Sequence, residues 1–199
     1  EGSVSLSGKA SFIPPVAATR RTPGRPMTLR ADMNISHLTW LMPDRRLKAD
    51  DIDLTLDTSD SLTDAQLRNR NLALDFSSPV SLDTIMQRFT LAAGRLDRDM
   101  ARRRLAIDSL QQALPPFTLS FNAGAGDNLL ANFLAGQKIS FSQMALNASN
   151  DTIIHADALI ARLKTGETLI DTITVKLHQR GAYMLYDASM TNRPGTFDQ

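Results

Sequence analysis

Apolar and polar residues alternate along most of this chain. Val4, Leu6, Gly8, Ala10 and Phe12 alternate with Ser5, Ser7, Lys9 and Ser11, which predicts a strand ending at Pro14-Pro15. Residues 17–26 are polar, positive and punctuated by Pro and Gly, and read as a flexible loop. Met27, Leu29, Ala31, Met33 and Ile35 resume the alternation. Beyond His37 the phase slips to Leu38 and Trp40, as at a bulge or bend. After a turn at 42–46 come Ile52, Leu54 and Leu56. A turn at 59–64 leads to Leu72, Leu74 and Phe76.

Ser81 to Met86 reads as a short helical turn after Pro79, and Phe89, Leu91 and Ala93 as a further strand. The next stretch admits two readings. Leu105 and Ile107 start a short strand behind a charged connector, or a helix runs from Asp99 to Leu114, since Met100, Arg103, Ile107 and Leu110 also fit helical spacing. The strand is preferred. Later strands follow with Met144, Leu146 and Ala148; with residues 153–163; with Leu169, Ile173, Val175 and Leu177; and with residues 183–190.

One segment, 117–146, carries clear helical grammar. Phe117, Leu119 and Phe121 alternate with Thr118, Ser120 and Asn122. Gly124 and Gly126 then permit unusual backbone angles. Asp127 is an N-cap candidate, and Leu129, Leu130, Phe133 and Leu134 share one face of a short amphipathic helix over 127–136, stopped by Gly136. Ile139 and Phe141 begin another strand, and a phase slip at Gln143 predicts a bulge.

The pattern gives about ten strands bounded by Asn, Asp, Gly or Pro. It predicts a mainly β fold, a single β-rich segment over 1–199. The sheet is an elongated, open, curved one, antiparallel or mixed, with one short helix and a single apolar face.

Composition narrows the function classes. The 22 basic and 21 acidic residues nearly cancel, leaving no surplus to neutralise nucleic-acid phosphates. Arg98 and Arg102-Arg103-Arg104 form the densest basic cluster. It reads as a solvated edge or, more sharply, as a contact for anionic lipid headgroups. There is no cysteine, hence no disulfide or thiolate. No apolar run is long enough for a transmembrane helix, and no secretory signal opens the chain; both ends read as cut from something longer.

Catalytic and metal constellations are absent from the pattern. His37, His155 and His178 are far apart and in no ligand spacing. The carboxylates at Asp50, Asp51 and Asp53, and at Asp97 and Asp99, read as turn and strand-edge residues. Sugar-stacking aromatics are scarce, with one Trp and two Tyr. The Gly124–Gly126 stretch lacks the Lys and Ser/Thr of a phosphate loop. Asn34, Asn147 and Asn150 begin glycosylation-type triplets that are common by chance. The chain reads as a non-enzyme, and no cofactor is expected.

Phrases such as LKADDIDLTL, RNLALDF, QKISFSQMALNAS and IDTITVKL, with the strand–turn–helix segment FTLSFNAGAGDNLLANFLAGQKISF, resemble the AsmA-like superfamily of Gram-negative envelope proteins, which includes TamB. The resemblance implies an incompletely closed β-structure of U-shaped cross-section with an apolar concave groove. It implies a parent protein anchored in the inner membrane and extending through the periplasm. It also implies a role in moving phospholipid or assisting outer-membrane protein assembly, with phospholipid or another acyl lipid, and outer-membrane assembly proteins, as partners. The groove lining would be Leu29, Met33, Ile52, Leu54, Leu56, Leu72, Leu74, Phe76, Phe89, Leu91, Phe117, Leu119, Phe121, Ile139, Phe141, Ile173, Val175 and Leu177. The eight methionines suit an adaptable apolar surface. The same side chains would also fill the core of a structural or adhesive β-sandwich, because groove and core want the same residues.

Overall fold

A computed structural model of the chain describes residues 3–14, 16, 27–41, 46–49, 51–103 and 106–192. The expected loop at 17–26 lies outside them, as does Leu105. Among the described residues, twelve strands form one open antiparallel sheet, and three helices attach to it. The strands are β1 (Ser3–Ile13), β2 (Thr28–Leu41), β3 (Arg46–Ala49), β4 (Ile52–Ser59), β5 (Leu62–Asn69) and β6 (Leu72–Ser78), then β7 (Phe117–Gly124), β8 (Ile139–Ser140), β9 (Gln143–Asn150), β10 (Ile154–Thr165), β11 (Thr168–Arg180) and β12 (Tyr183–Thr191). The ladder runs β1-β2-β4-β5-β6-β7-β9-β10-β11-β12, with β3 on β2 and β8 on β10. All described strands belong to this sheet, so the second layer that a sandwich needs is not among them.

The helices are α1 (Leu82–Ala101) and α2 (Ile107–Ala113), both between β6 and β7, and α3 (Leu129–Ala135), between β7 and β8. The pattern predicts one helix and a short helical turn at Ser81 to Met86; three helices are present among the described residues, and the turn is the start of the first. Phe89, Leu91 and Ala93, which alternate like a strand, lie on α1. Their period-2 pattern overlaps a stronger helical one in Leu82, Ile85, Phe89, Ala92 and Leu96, of which Ile85 and Ala92 are buried. Ser81 caps this helix, its hydroxyl accepting from the Thr84 N–H at 3.3 Å. Ile107 opens α2 rather than a strand, and the competing helical reading of that stretch is the correct one in part.

Strand β5 occupies a stretch that the pattern reads partly as a turn. Its sheet-facing alternation, Thr63, Ala65, Leu67 and Asn69, contains only one large apolar residue, so neighbours define it more than its own sequence does. The phase slip beyond His37 is real. His37 takes φ 55°, and β2 pairs with β4 up to Ile35 and with β3 from Leu38 onward.

Polar side chains fix the helices to opposite ends of the strands. On the α1–α2 side, Thr63 donates to the Val80 carbonyl at 2.9 Å and Ser78 to the Pro116 carbonyl at 2.6 Å. Asn150 donates to the carbonyls of Gln111, Leu114 and Pro115 at 3.3, 3.3 and 2.9 Å. On the α3 side, Asn69 accepts from the Leu129 N–H at 2.6 Å, and Asn128 caps the helix by accepting from the Ala131 N–H at 2.9 Å. Asn128, not Asp127, is thus the N-cap. Asp127 pairs instead with Arg70 and accepts from Asn132 at 2.8 Å. The Asn132 bond is the leading reason that the Asp127 carboxyl sits below its ordinary range, Arg70 adding to it.

Of the two glycines before α3, Gly126 has φ 122° and needs its missing side chain for that angle. Gly124 is a strand residue whose Cβ would sit 2.7 Å from the Asn71 amide nitrogen. Gly136 ends α3 in right-handed geometry, and the left-handed residue that redirects the chain is Lys138, φ 59°.

Because Asn69 and Asn150 act at opposite strand ends, Asn69→Ala and Asn150→Ala should each cost about 1–3 kcal/mol of unfolding free energy. Their effects should add to within about 0.5 kcal/mol in urea denaturation. Strong coupling would mean that the two helical ends are not independent.

Candidate functional site

The ladder registers align same-phase residues into rows running across the strands. One row is Ala31, Leu56, Ala65, Phe76, Leu119, Ala148, Ala156 and Leu177. The next, two residues along each strand, is Met33, Leu54, Leu67, Leu74, Phe121, Leu146, Ala158 and Val175. Sixteen successive positions on eight strands thus carry no polar side chain. The rows continue to Ala10 and Gly8 on β1 and to Tyr186 and Ala188 on β12.

Flanking rows are interrupted by the polar anchors. Toward α1 and α2, Thr58, Thr63 and Ser78 lie in line, followed by Phe117, Asn150 and Ile154. Toward α3 run Ile52, Asn69, Leu72, Ala123, Met144, Ile160 and Ile173. The helices rise from these outer rows as walls. Phe89 of α1 meets Phe117 with ring centroids 5.7 Å apart, and Phe117 stacks on Phe76 at 6.0 Å. On the other side Leu130, Ala131 and Leu134 of α3 pack on the small buried cluster of Leu72, Ala123 and Phe141. Between α3 and the middle rows lies a pocket of 480 Å³ lined by Leu38, Leu67, Leu72, Leu74, Phe121, Leu129, Leu130 and Phe133, with no polar side chain. The site is an apolar trough with a sheet floor and two helical walls.

The trough floor is open. Fifteen of the sixteen middle-row side chains are only half-buried, Ala31 being the buried one. Among the described residues, the largest fully buried side chains are Asn69, Asn128, Thr58, Thr63, Pro115 and Ser78, the reverse of a filled core, where Leu, Ile and Phe go deepest.

Among the predicted lining residues, Met33, Leu54, Leu56, Leu74, Phe76, Leu119, Phe121, Val175 and Leu177 stand in the middle rows. Leu29, Ile52, Leu72, Phe117 and Ile173 stand in the outer ones. Phe89 belongs to a wall. Leu91, also on α1, points away from the trough, because two residues turn a helix by about 200°. Ile139 is on the short strand β8, and Phe141, between strands, is buried beneath α3. Sequence reasoning missed the alanines 31, 65, 148, 156 and 158, and Leu67 and Leu146. An alanine gives almost no amphipathic signal, and only the register reveals its place.

The opposite face is wet and internally paired. Arg30 pairs with Asp57 and Arg68 with Asp75; Asn34 donates to Asp53 at 2.8 Å. His155 and His178 are cross-strand neighbours, 5.9 Å apart, and His155 contacts Asp157 at 2.9 Å. A 350 Å³ cleft on this face is lined by groups including Asp64, Gln66, Asp75, Asn147 and His155. No set of three or more metal-ligating side chains converges among the described residues. No described helix is long and apolar enough to cross a membrane.

No family model, curated protein or solved structure matches the chain. The site is therefore read from its own chemistry.

Openness of the floor can be measured by overfilling it. Ala158→Phe should change stability by less than about 0.5 kcal/mol, whereas overpacking a filled core costs about 1–3 kcal/mol. A cost in the larger range in chemical denaturation would show that the floor is occupied by the protein's own side chains.

Proposed function

We propose that this chain is a non-enzymatic segment of an AsmA- or TamB-like envelope protein that shields phospholipid acyl chains in its apolar trough. The shielding would serve transport between membranes or outer-membrane assembly, in the periplasm of a Gram-negative bacterium. The observation that carries this reading is the pair of adjacent rows without a polar atom, half-buried and bordered by helices. At about 4.8 Å per strand these rows extend for about 34 Å from β2 to β11, enough for extended acyl chains laid across the strands. Each methylene removed from water contributes about 0.8 kcal/mol, so eight covered methylenes give roughly 6 kcal/mol without any specific polar contact. The headgroup remains in water, and the mechanism is passive: the ligand trades one apolar surface for another.

The test is native mass spectrometry of the purified chain with extraction of bound lipid. Phospholipid should co-purify. Leu54→Asp and Leu74→Asp each place a carboxylate on the floor of the second row and should abolish lipid capture while the protein stays folded. Capture unchanged by either substitution, or a lipid-free mass after incubation with detergent-free liposomes, would refute the reading.

A further inference from the structure

We propose that the sheet joins a second copy of this chain edge to edge, β12 of one copy pairing antiparallel with β1 of the next and Asp187 facing Lys9. β1 and β12 end the ladder, and among the described residues neither has a strand on its outer side. Both are long, at 11 and 9 residues, and neither contains a proline. Neither is covered: Leu6 is 65% exposed, Phe12 60%, Tyr186 78% and Met190 67%. Long, apolar, unpaired edges are templates for another strand. Each edge strand carries a single charge, Lys9 on β1 and Asp187 on β12, and both are exposed.

The two edges match in direction and in hydrogen-bond phase. Ten strands alternate along the ladder, so β12 runs opposite to β1, and a second copy with the same face up presents β1 antiparallel to β12. In an antiparallel ladder bonded and unbonded pairs alternate along a row. From Ala10 to Tyr186 one row crosses every ladder without a slip. A further rung, Tyr186 against Ala10 of the next copy, falls in the phase that both edges require. This register sets Asp187 opposite Lys9. On the wet face it completes a row of alternating charge: Asp157, Lys176 and Asp187 of one copy, then Lys9 and Asp32 of the next. Opposite charges facing across strands contribute roughly 0.2–1 kcal/mol. A shift of two residues would put Ser7 or Ser11 opposite Asp187 instead, and pairing two β1 edges about Lys9 would set like charges face to face. On the trough face the middle rows run on across the joint, with the Tyr186 hydroxyl as their one polar group there. The two surfaces differ, so the contact does not close on itself and builds an open series of copies. It does not rest on lipid capture.

The experiment is disulfide trapping. The chain has no cysteine, so introduced ones report the pairing directly. Facing residues of an antiparallel pair have Cα atoms about 4.5–5.5 Å apart, within disulfide reach. Lys9→Cys and Asp187→Cys are made as separate variants, and circular dichroism checks that each is folded. Oxidised as a mixture they should give a disulfide-linked dimer, whereas each alone should stay unlinked. Leu185→Cys mixed with Lys9→Cys sets the sulfurs two residues out of register and should give a severalfold lower yield. A chain carrying both Lys9→Cys and Asp187→Cys should give a ladder of linked multimers on a non-reducing gel. No dimer from the first mixture, equal linkage by either variant alone or by the Leu185→Cys mixture, or a double variant that links only within itself would each overturn the proposal. The trapping uses no lipid, so a chain that captures none is still a fair subject for it.

Discussion

Ten strands share one apolar face because every ladder keeps the same parity. A slip of one residue in any pairing would turn all later strands over and place Asp, Ser and Thr on the trough floor. The irregularities fall where they do no such damage. His37 and Arg162, both with positive φ, and the break at Phe141 all lie on the α3 side, past the outer row that holds Ile35, Ile160 and Met144. They have a use there. The bend in β2 admits β3, whose Lys48 carbonyl accepts from Asn132 of α3 at 3.0 Å. The break between β8 and β9 turns Phe141 inward beneath the same helix.

The distribution of burial follows from this arrangement. A single sheet has no opposing layer, so its middle cannot be sealed by its own side chains. Burial concentrates instead at the two strand ends, where helix connections cross the outer rows. Main-chain groups in those connections leave water and need partners, and these are supplied by Thr63, Ser78 and Asn150 at one end and Asn69 and Asn128 at the other. The deep polar residues are therefore consequences of an open trough. They hold the walls upright without filling the space between.

Much of this was legible in the chain. Strands such as β4, β6 and β7 alternate strongly enough to be read from their own residues, and the turns at Gly166 and Gly181 mark their neighbours. What was not legible depended on partners. The register that recruits β5 lies in β4 and β6, not in its own weak pattern. Phe89, Leu91 and Ala93 satisfy period 2 by coincidence, and the decisive signal for α1 was the Ser81 cap with apolar residues three and four apart. Asp127 and Asn128 are both good caps; the choice was made by Asn69 and Asn71, which belong to a distant turn and engage the Leu129 N–H and the Asn128 side chain. The groove-or-core question was undecidable from residue types, since a leucine serves either. It turns on whether a second layer exists.

The trough is not uniform along its length, and the asymmetry follows from side-chain size. Across β4 to β7 the middle rows present Leu54, Leu56, Leu67, Leu74, Phe76, Leu119 and Phe121, a bulky floor relieved only by Ala65. Across β9 and β10 they present Ala148, Ala156 and Ala158, with Leu146 as the one large residue. The sheet backbone is continuous, so the floor drops by several methylenes between these halves. A flexible apolar chain lying along the rows would lie deepest over β9 and β10, beside the anchors of α1, α2 and α3. It would meet no polar side chain in moving from there along the middle rows as far as β2 or β11. Such a profile favours retention over β9 and β10, where small side chains leave the most room above the floor.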